Sequence, residues 1–225
     1  MIEPAQLRRF LRHFAIDCAF DVGANAGQYA IALRQLGFTG QILSFEPNPA
    51  VARELHEAAH GDPRWAVFEI ALDSACRPLT FNIMAASQFS SLREPDHSAT
   101  DAFHGINKVV ERVDLMTQTL VDLFPDLRTK YGFERPFLKL DTQGFDIEVV
   151  KGAGDRLNDF AGLQSELALT SLYAGAPSYS EAIAYYRSRG FSLSAIVPNN
   201  AGHFPDLLEM DCIMYNRAFG RDHQG

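Results

Sequence analysis

Apolar residues along this chain fall into short runs that alternate between two periods. Some runs repeat every three to four positions, as one face of a helix does, and others are continuous, as in strands buried on both faces. Residues 4–14 carry the helical period, and Ile16 to Val22 is a continuous run that predicts a strand. The same reading predicts a helix over Gln28 to Leu36, ending before Gly37, a strand over Gln41 to Phe45, and a helix over Pro49 to Ala59 with proline near its start. Trp65 to Leu72 and Leu79 to Met84 predict further strands. After them, Val109 to Val113 predicts a short strand and Leu120 to Tyr131 a helix. Phe137 to Leu140 predicts a buried strand, Ile147 to about Gly152 a helix, and Leu163 to Leu167 a strand. Ser180 to Arg189 predicts a helix, and the strands Phe191 to Val197 and Leu208 to Tyr215 close the series.

Alternating strands and helices predict a mostly parallel sheet covered on both faces. No helical period separates the last two strands, so they are expected to pair antiparallel. Ligands on such sheets bind beyond the carboxyl ends of the strands. That rule directs attention to the segments after Val22, Phe45, Leu72, Leu140, Leu167 and Val197. The stretch from Ala85 to Lys108 is polar and has no period; a loop of that length is expected to be a lid or an acceptor wall, or else an exposed connection without a role.

The first segment reads Asp21-Val22-Gly23-Ala24-Asn25-Ala26-Gly27-Gln28. Gly23 and Gly27 permit a tight turn, and the helix beyond offers free N–H groups. A dinucleotide fingerprint is G-x-G-x-x-G, but Asn25 stands where its middle glycine belongs. Without that glycine a pyrophosphate passes less closely. Asp21 would repel a phosphate and suit a cation, so the turn reads as a seat for a positively charged, phosphate-free nucleoside. Such a turn also serves in sheets that bind nothing. Glu46 ends the second strand and is placed to accept from both ribose hydroxyls, with Asn48 beside it, although an acid there also suits the start of a helix. Ala71 and Leu72 are candidates for the face of a base, and Asp73 either accepts from its amino group or forms a turn with Ser74.

Composition narrows the classes. Of 225 residues, 47% are apolar and 21% charged, which is ordinary for a single globular domain. The net charge of −8 argues against nucleic acid as the main partner. Cys18, Cys76 and Cys212 form neither an even set nor a close pair, so free thiols in a reducing cytoplasm are expected, with Cys18 and Cys212 in the core. No secretory leader and no apolar run long enough to span a membrane is read.

Four stretches together resemble the FkbM-type methyltransferase family of class I S-adenosylmethionine-dependent enzymes. They are FDVGANAGQYA (20–30), FEPNP (45–49), FLKLDTQGFDIEVVKGA (137–153), and the run from Glu166 through GAPSYSEA to LLEMDCIMYNR (207–217). The resemblance covers roughly Asp17 to Arg217. It implies an α/β fold, a Rossmann-like three-layer sandwich around a seven-stranded, mostly parallel sheet with the last strand antiparallel. It implies S-adenosylmethionine as cofactor and O-methylation of a hydroxyl on a sugar or natural product. Asp146 stands where glutamate is common in the family, a shorter carboxylate in the same role. The expected organisation is an N-terminal helix over 1–15, the domain over 16–217 and a tail over 218–225. A nicotinamide-dependent oxidoreductase and a non-catalytic nucleoside-binding module are the competing readings; the missing glycine and Asp21 count against the first.

Methyl transfer to an alcohol requires that the hydroxyl lose its proton, so a general base or a metal is sought. Asp141 ends the fourth strand at the expected cleft and is the first candidate. Strand alternation puts Lys139 on the same side, so a structural ion pair between them is an equal alternative. Glu166 is a carboxylate in an apolar run, which is costly unless paired. Asp141, Glu166 and Asp211 are together a possible site for a divalent cation. His203 follows the sixth strand and is a second candidate base, or a solvated loop histidine. His97 and His104 lie in the long polar loop with Ser90 and Ser91. Tyr173 and Tyr179 are candidates for the acceptor pocket, whereas Tyr185 and Tyr186 read as packing residues.

Overall fold

The structure, a computed structural model, describes residues 4–96, 108–170, 173–199 and 205–221. Its centre is a seven-stranded sheet built from β1 (Cys18–Val22), β2 (Gln41–Phe45), β3 (Trp65–Phe68), β6 (Pro136–Leu140), β7 (Gly162–Ala168), β8 (Phe191–Asn199) and β9 (Glu209–Asn216). Across the sheet the order is β3-β2-β1-β6-β7-β9-β8. The strand β9 pairs antiparallel with both β7 and β8, while the β1, β2, β3, β6 and β7 pairings are parallel. The expected antiparallel pairing of the last two strands is therefore present. Two further strands, β4 (Pro78–Met84) and β5 (Val109–Met116), leave the main sheet and form an antiparallel pair of their own.

Among the described residues, six helices flank the sheet: α1 (Pro4–His13), α2 (Gln28–Gln35), α3 (Pro49–Ala59), α4 (Leu120–Tyr131), α5 (Asp146–Gly152) and α6 (Tyr179–Ser188). Two of the starts show a clear local cause. Asn48 Oδ1 accepts from the Ala50 N–H at 3.1 Å and Pro49 follows it, which begins α3. Ser178 and Glu181 form a reciprocal capping box at α6.

Strand alternation divides the core into two layers. One face presents Ala19, Ile42, Phe137 and Ile213 to Leu7 and Phe10 of α1, Leu33 of α2 and Leu55 of α3. The other presents Phe20, Leu43, Phe45, Leu138 and Leu163 to Phe124 of α4, Val149 of α5 and Tyr186 of α6. The first helix is thus part of the core layer and not an appendage. Phe219, in the expected tail, also packs partly against that layer.

Several boundaries differ from expectation; β5 runs on to Met116 and β8 to Asn199, past Val113 and Val197. The first strand begins at Cys18 and not Ile16, because Ala15 takes a φ of 48° and the chain turns there. The third ends at Phe68 and not Leu72, because the chain leaves the sheet and Leu72 bridges Gln118 beside the β4–β5 pair. The order reverses at β1: β2 and β3 lie on one side, β6 and β7 on the other. A crevice opens at such a point, beyond the carboxyl ends of β1 and β6.

Candidate functional site

The register sets a polar row at the carboxyl end of the first face. Asp21 pairs with Ser44 on one side and Lys139 on the other, and Lys139 pairs in turn with Gln164. Lys139 is 6% exposed, and its ammonium lies 3.2 Å from Asp21 Oδ1 and 3.3 Å from Asp141 Oδ2. It also donates to the Gly23 carbonyl at 3.4 Å and sits 5.2 Å from the Tyr29 ring centroid. Burial opposes its charge, but Asp141 and Asp21 more than offset that and raise its pKa above the usual lysine value. The lysine therefore stays charged, and the ion pair with Asp141 that was its alternative reading is present. Asp21 is fully buried, and burial raises its carboxyl against the pull of Lys139. It does not line the cleft. Its charge is met by a lysine one strand away, in register.

The cleft itself holds about 270 Å³ and opens at the reversal point. Gly23, Asn25, Glu46, Ala71 and Leu72 line one part of it, and Asp141, Gln143, Glu166 and Glu209 line another. Gly23 has a φ of +75°, and a Cβ there would lie 1.9 Å from the Asp141 carbonyl oxygen. Only glycine lets the turn after β1 pass that close to the end of β6. Gly27, with a φ of +91°, sits against the Trp65 ring, 2.9 Å from where a Cβ would be.

Glu46 is 6% exposed, and its two oxygens accept from the Asn25 N–H at 2.9 Å and the Asn48 N–H at 2.8 Å. Burial pushes its carboxyl up to about 7, against the lowering effect of those two donors. One acid thus ties the glycine turn to the start of α3 while still lining the cleft.

Three other expected cofactor contacts are elsewhere. Asn48 caps α3 and is buried. Gln28 is exposed and does not line the cleft, because the first residue of α2 already turns outward. Asp73 is fully buried and accepts from Arg77 Nε at 2.6 Å and from the Ser74 N–H, the turn that was one of its two readings.

At the opposite part of the cleft, Asp141 is partly exposed, with 34% of its side chain accessible. Burial tends to raise its pKa, but Lys139 and hydrogen bonds from Glu166 and Gln143 outweigh that and hold it below the usual carboxylate value. Glu166 goes the other way: burial first, then the charges of Asp141 and Glu209, raise it well above the ordinary range. Glu209, at the start of β9, is pushed up to about 7 by burial, Asp141 and Asp211. Asp146, at the first turn of α5, accepts from the Thr142 N–H at 2.9 Å and from Ser165 Oγ at 2.6 Å. It fixes the turn that carries Asp141.

The possible divalent-cation site of Asp141, Glu166 and Asp211 is not supported. Among the described residues no cluster of three or more histidines, cysteines or acids is arranged to hold a metal. Asp211 accepts from Gln164 Nε2 at 3.1 Å, and Asp141 and Glu166 both accept from Gln143. His203, His97 and His104 lie outside the described residues. Tyr173 is buried, with its hydroxyl on Gln143 Oε1 and the Phe89 carbonyl; Tyr179 is 42% exposed on α6. Tyr186 packs in the core. Among the described residues of the long loop, Ser87 to Ser90 and Leu92 line the cleft.

The sequence reading did not single out Glu209 or the role of Gln143. Glu209 was detectable: it stands two positions from Asp211, and two-residue alternation puts both on the side of Glu166.

Comparison with known proteins adds a family. The model described as "Methyltransferase FkbM domain" matches residues 21–193. "Methyltransferase sdnD" of Sordaria araneosa is 27% identical over 154 residues, which is 60% of this chain and 60% of that protein. Among solved structures, a SAM dependent methyltransferase from Aquifex aeolicus is 12% identical with a TM-score of 0.47, covering 95% of this chain and 89% of that one. The magnesium protoporphyrin IX methyltransferase from Synechocystis PCC 6803 with bound SAM is 9% identical with a TM-score of 0.48, covering 95% and 77%. The description of the fold rests on the strand order above and not on these distant likenesses. No helix among the described residues is long and apolar enough to cross a membrane.

Proposed function

The chain belongs to the FkbM methyltransferase family, and from that premise we propose that it transfers a methyl group from S-adenosylmethionine to a hydroxyl of a small acceptor, a sugar or natural product. The observation that carries this reading is the cleft at the reversal point, where Glu46 and Asp141 line opposite parts of one space. The residues suit the cofactor. Glu46 has spent one lone pair of each oxygen on backbone donors, which leaves acceptor capacity for two ribose hydroxyls. Ile70, Ala71 and Leu72 supply an apolar wall for a flat base. Asp141, anionic at the cleft, and Glu209 in its ionised form favour a cation and disfavour a pyrophosphate.

When bound, the cofactor supplies an electrophilic methyl group on a sulfonium. The chain aligns the acceptor oxygen against that methyl, and such alignment contributes roughly 7–11 kcal/mol in well-oriented reactions. Asp141, partly exposed at the cleft, accepts the hydroxyl proton. Its low basicity means that the proton leaves late, as the new bond forms. Lys139 fixes Asp141 from behind and holds the Gly23 carbonyl, so the glycine turn and the base are tied to one cation. We assign the catalytic domain to residues 16–217, with 1–15 as an N-terminal segment that carries α1 and 218–225 as a tail, and the reducing cytoplasm as its compartment, consistent with three free thiols.

The test is incubation with methyl-labelled S-adenosylmethionine and a panel of hydroxylated sugars and natural products. Label in an O-methyl product supports the reading. Cofactor binding with no transfer to any acceptor favours a non-catalytic module.

A further inference from the structure

Gln143 stands two positions past the base, in the turn between β6 and α5, with a φ of +52° that long side chains seldom adopt. Its amide nitrogen donates to Asp141 Oδ1 at 3.0 Å and to Glu166 Oε2 at 2.9 Å. Its amide oxygen accepts from the Tyr173 hydroxyl at 2.9 Å. The Tyr173 hydroxyl has one proton and also lies 2.8 Å from the Phe89 carbonyl, so the amide is oriented instead by Asp141, an anion beside Lys139 that can only accept. The turn is also pinned through its backbone, since Ser91 Oγ donates to the Gln143 carbonyl at 3.0 Å. One amide nitrogen thus holds a carboxyl oxygen of each acid, and burial together with the charge of Asp141 favours the protonated form of Glu166.

We propose that Gln143 is the positioning residue of this site, its amide nitrogen bridging Asp141 and Glu166 so that the two carboxyls are held side by side. The inference rests on the reading of Asp141 as the base. The acceptor hydroxyl then meets an anionic Asp141, kept in that form by the ammonium of Lys139. As the acceptor oxygen takes the methyl group, its own proton passes to Asp141, and the pair carries two protons until one returns to solvent with product release. The charged groups facing the pair are Lys139 with Asp21 behind it, and Glu209 and Asp211 from β9. Asp146 on α5 and Glu46 across the cleft complete the acids, and Arg93, held on the Gly144 carbonyl, is the cation on the loop side.

The experiment is carboxyl-carbon NMR titration of the free protein, carrying labelled Asp and Glu, for the parent, Gln143→Met and Tyr173→Phe. Methionine keeps the chain length and removes both donors. The ionised form of each acid then loses a hydrogen bond, so both steps of the pair should move up by about one pH unit in Gln143→Met. Tyr173→Phe keeps the amide and removes one partner of its oxygen, so it should move the same steps in the same direction by less; this variant carries the test if the methionine variant does not fold. In turnover, the acid limb of kcat should move with the titration while KM for the cofactor stays near the parent value. Parent-like titrations in both variants overturn the inference. The NMR readout needs neither cofactor nor acceptor, so shifted titrations in a protein that transfers no methyl group would sink the catalytic reading and leave this inference standing.

Discussion

Replacing Lys139 by methionine removes the cation and keeps most of the aliphatic stem. Asp21 would then be a fully buried carboxylate whose only remaining partner is the Ser44 hydroxyl, at 3.3 Å. Removing one member of a buried pair costs about 3–5 kcal/mol, because the other charge stays desolvated and uncompensated. Asp141 adds little to that cost, since its side chain is partly open to water. For a chain of this size the loss corresponds to a Tm lower by roughly 6–20 °C. The effect has a pH signature. Burial already raises the Asp21 carboxyl above its ordinary value, and without Lys139 it rises further. The folded variant then retains a proton that the unfolded chain releases above about pH 4, so its stability falls as pH rises through the folded value. The gap between parent and variant should be widest near pH 8 and narrow toward pH 5. Urea unfolding can be followed by the single tryptophan, because the Trp65 indole donates to Ser44 Oγ, which contacts Asp21. Adding Asp21→Asn to Lys139→Met should return much of the loss. A loss under about 1 kcal/mol at pH 8, or a gap that does not narrow in acid, would refute the buried-pair reasoning.

Three further outcomes concern the cleft. Glu46→Ala should weaken affinity for S-adenosylhomocysteine about ten- to a hundredfold by calorimetry, with little change in turnover at saturating cofactor; parent-like affinity removes the ribose assignment. In the parent, affinity should rise between pH 6 and pH 8, because Glu46 ionises near 7 and only the carboxylate accepts from both hydroxyls. Gly23→Ala would set a Cβ 1.9 Å from the Asp141 carbonyl at a φ of +75°, so it should abolish measurable cofactor binding and lower the melting temperature; a parent-like Kd contradicts the close approach. Asp141→Asn should lower kcat by roughly a hundred- to ten-thousandfold while the cofactor Kd stays near the parent value, and an unchanged kcat transfers the role of base elsewhere.

The regular elements were legible because local signals agreed: glycine turns, proline at the start of α3, the Ser178 capping box and apolar periods all pointed one way. What the sequence reading missed depended on register between distant segments. Asp21 looks like a ligand acid until Lys139 is seen beside it on the neighbouring strand. Asp73 looks like a base acceptor until the turn at Ser74 and the partner at Arg77 consume its oxygens, a pairing visible at four-residue spacing. The pairing of β4 with β5 was hidden because a polar stretch without a period separates them. Gln143 carried no signal of its own, since its importance comes from three partners on two other segments. Glu46 and Gly23 were found because both act next to the strand ends that the topology selects.

Titration calorimetry of the parent chain with S-adenosylmethionine, run beside NADH, addresses the central claim most directly. The account predicts one saturable site per chain for S-adenosylmethionine, lost or strongly weakened in Glu46→Ala, and no binding of NADH. No heat from S-adenosylmethionine at millimolar concentration, or saturable binding of NADH in its place, would contradict it.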